Sequence, residues 1–470
     1  MPNAVRVSLD GLRTLLMGTD ELGVFERVIG FRAATGVIRS VHIMNDLAQC
    51  TLGGAPEHGG DYLCQIIRPD EDDGENSEEV LRKSARFGPA FSSAFPSDLG
   101  TRRIDALRRA AATVLNFDRG VYKSGDRMAS PLATHRDLLG FEGFRRFQVG
   151  RYLQHVLGDE GSRLIRGLYL DDRDPLTRAF RPLLLPGKLV DTHSPRPLPP
   201  RTRFDEALGR GLRTLLSQRL TKPALLRALA LASSMGVVLK ILGCGRTDGV
   251  PVVLALAAER EAVSARDLRE GAVTSLRRCV AELDRACARG LAADPGLPPL
   301  LSGERQSAAS IDVKPDQPVA EMCAELIAGA RSHGARSRTG DDEGKAIYWP
   351  DRFALRLGRQ VGIILPRDDR AGWGKFFALT PEHVEVLTLM YVPPGEREPW
   401  REFWRSVRED LGLFVGANAP AETVALREAG VPHIGVESLA SNANELLAQA
   451  CRHAVARRLP DSGAEVGAVS

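Results

Sequence analysis

Four interruptions of the apolar pattern do most to limit what this 470-residue chain can fold into. They are an acidic run at 70–79, a proline-rich stretch at 186–200, a segment rich in Pro, Gly and Ser at 294–316, and a small, charged stretch at 332–344. Such breaks mark loops and linkers, because Pro and Gly interrupt regular structure. The stretches between them carry apolar residues mainly at helical spacing. The sequence therefore predicts a helix-rich, multidomain α+β protein.

The breaks divide the chain into six predicted parts. These are a mixed α/β segment at 1–79, a helical domain at 80–185, a linker at 186–202, a helical region with a β-hairpin at 203–292, a flexible linker region with a short helix at 293–344, and a C-terminal winged-helix-like domain at 345–470. The hairpin is expected at 237–257, where two apolar runs flank a Gly-rich turn.

Composition narrows the class of protein. Apolar residues make up 43% of the chain and charged residues 26%, as in ordinary soluble proteins, which excludes a disordered or fibrous chain. No run approaches the ~18 consecutive apolar residues that a membrane span needs, and no secretory signal opens the sequence. We therefore expect a cytoplasmic protein with no membrane partner. The net charge of +3 is too small for the whole chain to act as a polycation toward nucleic acid.

The familiar catalytic motifs are incomplete. The glycines of GCGRTDG at 243–249 have the wrong spacing for a dinucleotide fingerprint, and an apolar run that reads as a strand follows them. The HRD at 135–137 lacks the Asn that a kinase loop places five residues later. The sequence thus shows no catalytic centre, although it leaves open whether the chain is an enzyme.

Two groups of residues could in principle hold a metal. Asp171, Asp172 and Asp174 could bind a divalent cation, but Arg173 lies among them and Pro175 follows, which favours a solvated loop. The second group is spaced too widely for a typical zinc site, and consists of His42, Cys50, His58 and Cys64. The seven cysteines include no CxxC pair. We expect neither a metal nor another cofactor.

The C-terminal region has the most readable pattern. Thr380 is a predicted N-cap, a Pro-Pro-Gly turn at 393–395 ends that helix, and a second helix starts at Pro399 with its apolar residues on one face. A short strand at 413–416, helices at 421–430 and 441–457, and a turn flanked by strands at 459–466 complete the order. This order is that of a winged helix, in which a helix can enter the major groove and a hairpin can reach phosphates. A small α/β module that docks proteins has a similar pattern.

The winged-helix interpretation identifies candidate contact residues. The first turn of the helix predicted at 441–457 would contact base edges through Ser441, Asn442 and Asn444. The basic residues at its end would contact phosphates, and they are Arg452, Arg457 and Arg458. The wing tip would lie at 461–463. Trp373 lies between two glycines near Arg370 and Lys375, and is a candidate aromatic contact.

Two stretches of this region resemble known sequences. They are MYVPPGEREPWREFWRSVREDLGLFVG at 390–416 and SNANELLAQACRHAVARRLPDSG at 441–463. They resemble winged-helix-like segments of uncharacterised bacterial proteins from DNA-modification and phage-defence islands, including accessory proteins of deazapurine DNA-modification systems. The resemblance covers the C-terminal quarter of the chain and implies a DNA-linked role in antiviral defence.

The sequence as a whole predicts a DNA-binding or partner-docking subunit of a DNA-associated bacterial assembly. Its expected partners are double-stranded DNA and other protein subunits. Two alternatives remain open, a metal-dependent nuclease with a diverged active site and a purely structural scaffold subunit.

Overall fold

A computed structural model gives the architecture of the chain. It describes residues 5–18, 22–33, 39–56, 133–136, 139, 148–171, 173, 189–190, 198–258, 265–302, 310–314, 317–336, 347–366, 374–431, 434–460 and 463–467. The acidic run at 70–79 and Trp373 lie outside these residues, as do positions 461–462 of the expected wing tip. The chain divides into two compact units, the first made of Met1–Gly36, Pro197–Thr214 and Ser234–Ser470, and the second of Val37–Arg196 and Leu215–Ser233.

The described residues confirm a helix-rich α+β protein. Their helices are α1 (Leu9–Met17), α2 (Val24–Ile29), α3 (Ser40–Leu52), α4 (Val149–Tyr169), α5 (Arg203–Leu216), α6 (Lys222–Gly243), α7 (Arg266–Ala292), α8 (Leu297–Leu301), α9 (Val319–Arg336), α10 (Pro350–Val361), α11 (Pro381–Tyr391), α12 (Trp400–Leu411), α13 (Ala419–Glu428) and α14 (Val436–Arg452). Their strands are β1 (Val5–Ser8), β2 (Ala55–Pro56), β3 (Leu189–Val190), β4 (Val253–Ala257), β5 (Ser310–Val313), β6 (Ile364–Leu365), β7 (Phe376–Leu379), β8 (Glu398–Pro399), β9 (Leu413–Phe414), β10 (Ala456–Arg458) and β11 (Ala464–Val466).

A four-stranded sheet of order β6-β7-β4-β9 organises the first unit. β4 is parallel to both β7 and β9, and β6 is the antiparallel edge strand. All five residues of β4 are buried, as expected for a strand covered on both faces. Helices α7, α13 and α14 cover one face, where Leu254 and Phe376 pack against Leu268, Leu426 and Leu439.

This sheet corrects the expected β-hairpin at 237–257. The first apolar run is the C-terminal half of α6, which continues to Gly243, and only the second run forms a strand. β4 pairs with β7 and β9, which come from the segment at 345–470. A short apolar run suits a buried helix as well as a strand, so periodicity alone could not separate the two.

A second, antiparallel sheet of order β10-β11-β8 lies near the C-terminus of this unit. A turn flanked by strands was predicted at 459–466 and a hairpin, β10–β11, forms there, but β10 replaces the end of the helix predicted to run to 457, because α14 ends at Arg452. The sheet packs against α12, whose aromatic face is buried as its spacing predicts, with the Trp400 and Trp404 ring centroids 5.6 Å apart. Thr380 also caps α11 as predicted, since its backbone N–H donates to Nδ1 of His383 over 3.0 Å.

The second unit is built around α3 and α4, which pack along one another. Gly150 permits their close approach, because a Cβ there would lie 2.3 Å from the backbone carbon of Asp46. β2 and β3 form a short antiparallel pair in this unit.

One described helix, α6, is long and apolar enough to span a membrane, but most of its apolar window is buried inside the protein. Burial of that extent is typical of a core helix.

Candidate nucleic-acid interface

Helix α14 presents one polar stripe to solvent. Ser441, Asn444 and Arg452 are exposed, and their spacing of three and eight residues places them on the same side of the helix. The opposite side buries Leu439 and Leu446 completely. At 1.5 Å per residue the stripe from Ser441 to Arg452 is about 16 Å long. It ends where the chain turns into the β10–β11 hairpin.

Asn442 lies on the buried side of α14, which corrects its assignment as a base contact. Its Nδ2 donates to the carbonyl oxygens of Ala255 at 3.0 Å and Val415 at 2.9 Å, and its Oδ1 accepts from the N–H of Ala257 at 2.9 Å. The side chain is 1% exposed, so no base edge can reach it. Asn442 instead joins β4 to the chain just beyond β9, at the point where the two strands stop pairing.

The hairpin brings two further candidate residues to the surface. Arg457 and Arg458 on β10 are exposed, whereas the Ala456–Val466 pair beside them is buried. Five of the six predicted contact residues are therefore exposed along α14 and the hairpin that follows it, with Arg457 and Arg458 on opposite faces of β10 because successive side chains of a strand alternate. We call this set of residues the α14–hairpin surface. It consists of Ser441, Asn444, Arg452, Arg457 and Arg458.

An acidic residue holds two arginines beside this surface. Oε1 of Glu465 on β11 accepts from Nε of Arg457 and also from Nη1 of Arg397, the latter over 3.2 Å. The Glu465 side chain is 18% exposed, while those of Arg457 and Arg397 are 57% and 50% exposed. The carboxylate thus lies beneath two guanidinium groups that remain open to solvent. No pattern in the sequence singled out Arg397 or Glu465, because Arg397 precedes β8, Glu465 lies on β11, and the two meet only through β8–β11 pairing.

Other charges near the sheet are mixed in sign. Arg401 and Arg405 on α12 are exposed, and Arg405 forms an ion pair with Glu402. Partial burial, followed by repulsion from Glu402, raises the pKa of Glu398 above its ordinary value. Both causes disfavour the ionised form of Glu398 itself. The exposed cations of α12 are thus accompanied by acids that are partly buried or paired.

The carboxyl end of the parallel sheet is a second position at which folds of this kind bind ligands. In doubly wound folds, ligands bind where the strand order reverses, and in the order β7-β4-β9 that position lies between β4 and β9. Here the buried carboxylate of Glu422 accepts from the N–H groups of Val415, Gly416 and Asn418 at 3.0, 2.7 and 3.0 Å. The amides that could bind a phosphate are thus bound by the protein's own anion. Asn442 fills the adjoining space between the strands.

A third cluster is the buried polar side of α3 in the second unit. His42, Asn45, Asp46 and Gln49 are at most 5% exposed and recur at helical spacing. Asn45 accepts from the N–H of Ala133 at 3.0 Å, and Asp46 accepts from the N–H of Gly150 at 2.6 Å. Asp46 thereby places a carboxylate at the N-terminus of α4, where the helix dipole favours an anion. These bonds give the cluster a structural role.

Three of the residues considered as metal ligands, His42, Cys50 and Asp171, fall within the described ranges. Asp171 is bonded to Arg173, whose hydrogen bonds hold the pKa of that exposed carboxyl below its ordinary value. His58, Cys64, Asp172 and Asp174 fall outside the described residues. Within the described ranges, no three His, Cys, Asp or Glu side chains lie close enough to hold a metal ion.

Comparisons with protein-family models, with curated proteins and with solved structures find no significant match to this chain.

Proposed function

We propose that this chain is a nucleic-acid-binding subunit that contacts duplex DNA through the α14–hairpin surface. The observation that carries the proposal is the exposure of three arginines, Arg452, Arg457 and Arg458, on either side of the point where the helix passes into the hairpin. Arginine suits this role because its planar fork can donate two hydrogen bonds to one phosphate. The exposed stripe of α14 belongs to the same surface, and it is long enough for the helix to lie along a groove of the duplex.

The arrangement of elements supports a winged-helix-like module within the first unit. α11, α12, α13 and α14 precede the hairpin, and β8 adds a third strand to it, so a wing of three strands follows a helix with an exposed polar stripe. One feature departs from a simple winged helix. β9, the short strand between α12 and α13, joins the parallel sheet beside β4 and takes no part in the wing.

The charges on the surface favour contact with the DNA backbone over base reading. The exposed stripe of α14 also carries Glu437, and Glu445 is half-buried on the same side, two acids that a phosphate would repel. The uncharged polar residues of the stripe are Ser441 and Asn444. The cations lie at the hairpin end. We therefore propose that the chain binds duplex DNA with little sequence preference, mainly through the phosphates. The resemblance of the C-terminal quarter implies that this binding serves DNA-linked antiviral defence.

Duplex binding measured by fluorescence anisotropy over a salt series tests the proposal. Affinity should fall steeply with salt, and neutralising Arg452, Arg457 and Arg458 together with Gln should weaken binding. Loss of three phosphate contacts should lower the slope of log K against log salt by about 2.7. The matched control neutralises three exposed arginines distant from this surface in sequence, namely Arg163, Arg277 and Arg285.

The outcomes separate the competing functions. If the control variant keeps its affinity for duplex while the Arg452/Arg457/Arg458 variant loses affinity, the result supports DNA binding by this surface. Equal loss in both variants contradicts it, since overall charge would then explain the binding. If the wild-type protein fails to bind duplex at low salt, DNA contact is refuted and protein docking takes its place. Cleavage of the duplex that requires Mg²⁺ would favour the nuclease alternative.

A further inference from the structure

The paired arginines beside Glu465 extend the proposed surface onto a second strand. Arg397 precedes β8, and Arg457 lies on β10, with β11 between the two strands. Both side chains bond to the same oxygen atom of Glu465. Two donors that share one acceptor lie within roughly 6 Å of each other, which is twice a hydrogen-bond length. A phosphate group, with several acceptor oxygens, can span two donors at that separation.

The bonding pattern leaves donors directed away from Glu465. Arg457 uses its Nε for the carboxylate, and in the part of the chain that the structure describes no other hydrogen bond engages its two terminal amino groups. Arg397 uses one terminal nitrogen. The charge of the three side chains sums to +1, which leaves a net attraction for an anion. Because Glu465 is mostly covered and both arginines are half exposed, an incoming phosphate meets the guanidinium groups first.

We propose that Arg397 and Arg457 together bind one backbone phosphodiester of the duplex, and that Glu465 is the positioning residue that holds them side by side. This inference rests on the proposed function and adds two residues to it. A positioned pair loses less side-chain entropy on binding than two independent arginines, since each guanidinium is already restrained. Glu465 is therefore an acidic residue that strengthens binding to a polyanion.

Comparison of two acidic residues tests this directly. Glu465→Ala and Glu396→Ala both remove one negative charge near the sheet, but Glu396 is exposed and lies in the turn before Arg397. If overall charge decides affinity, both variants bind the duplex more tightly. If Glu465 positions the arginines, Glu396→Ala binds slightly more tightly, whereas Glu465→Ala binds several-fold more weakly and loses about 0.9 from the salt slope, equal to one phosphate.

The arginines themselves provide the second test. Arg397→Gln should weaken duplex binding about tenfold, which corresponds to the loss of a charge-assisted hydrogen bond. The double variant Arg397→Gln/Arg457→Gln should lose less affinity than the product of the two single-variant losses, because both arginines contact one phosphate. Arg401→Gln, an exposed arginine on α12, is the matched control and should have a smaller effect. Thermal unfolding of each variant separates loss of fold from loss of contact.

The failures of the two proposals can be told apart. If the wild type binds duplex and loses affinity in the Arg452/Arg457/Arg458 variant, yet Glu465→Ala binds more tightly and Arg397→Gln is unchanged, then only the paired-arginine inference is overturned. If the wild type shows no salt-sensitive binding, the proposed function is overturned and this inference with it.

Discussion

Replacing Asn442 with Ala should destabilise the first unit without touching a ligand. The three hydrogen bonds of its amide end on the backbone of Ala255, Ala257 and Val415, all of them buried. Each buried backbone group left without a partner costs about 1–3 kcal/mol. The sum of the three costs exceeds what a single substitution usually costs. Because neighbouring groups relax and water can enter, we expect the free energy of unfolding to fall by about 3–5 kcal/mol.

Urea unfolding followed by tryptophan fluorescence is the suitable assay. All four tryptophans of the chain belong to the first unit, so their emission reports that unit's unfolding. Ser441→Ala and Asn444→Ala are matched controls, because both residues are exposed neighbours on the same helix. They should change the free energy of unfolding by no more than about 0.5 kcal/mol.

Two results would refute this reasoning. A cost below about 1 kcal/mol for Asn442→Ala would mean that the three bonds do not hold β4 to the chain beyond β9. A loss of duplex affinity at unchanged stability would mean that Asn442 meets the ligand after all.

Three further predictions concern buried polar groups of the first unit. Lys240→Met should cost about 3–5 kcal/mol in thermal or urea unfolding, since it removes the cation that lies 2.7 Å from the buried carboxylate of Asp205; a neutral effect would contradict that pairing. Glu422→Ala should lower the free energy of unfolding by about 2–4 kcal/mol, because three backbone N–H groups lose their acceptor. Glu422→Gln, which keeps an acceptor oxygen, should lose less stability than Glu422→Ala. Burial raises the pKa of three thiols to about 12, 12 and 11, those of Cys244, Cys279 and Cys323. The folded state then keeps protons that the unfolded chain releases near pH 9, so stability should fall as pH rises above 9, and a thiol reagent at pH 8 should label these cysteines only after unfolding.

Local chemistry predicted the elements of the C-terminal region well. Thr380 caps α11 because its side chain and the next turn satisfy free backbone groups, and Trp400 and Trp404 are buried because they share one helix face. The turn of the last hairpin was predicted, whereas its first strand, β10, had been assigned to the end of the preceding helix. Each of these features depends on residues close together in the sequence.

The pairing of β4 could not be predicted in the same way. Its partners lie more than 100 residues away, and no local pattern specifies which distant strand a buried strand will join. The start of α14 was also missed. Ser441 and Asn442 look like N-cap residues, yet the helix begins at Val436, and Asn442 is inside it because three buried backbone groups need its amide. Tertiary hydrogen bonding therefore decided the role of the one predicted contact that the structure removes.

The position of β4 in its sheet has a consequence for synthesis on the ribosome. Val253 pairs with Leu413, which is translated 160 residues later. At 5–20 residues per second, this buried apolar strand waits roughly 8–30 s for its second neighbour. Until β9 is made, at least one edge of β4 is open to pairing with other chains. Production of the protein should therefore respond to chaperone supply, and chains that stop before residue 413 should aggregate.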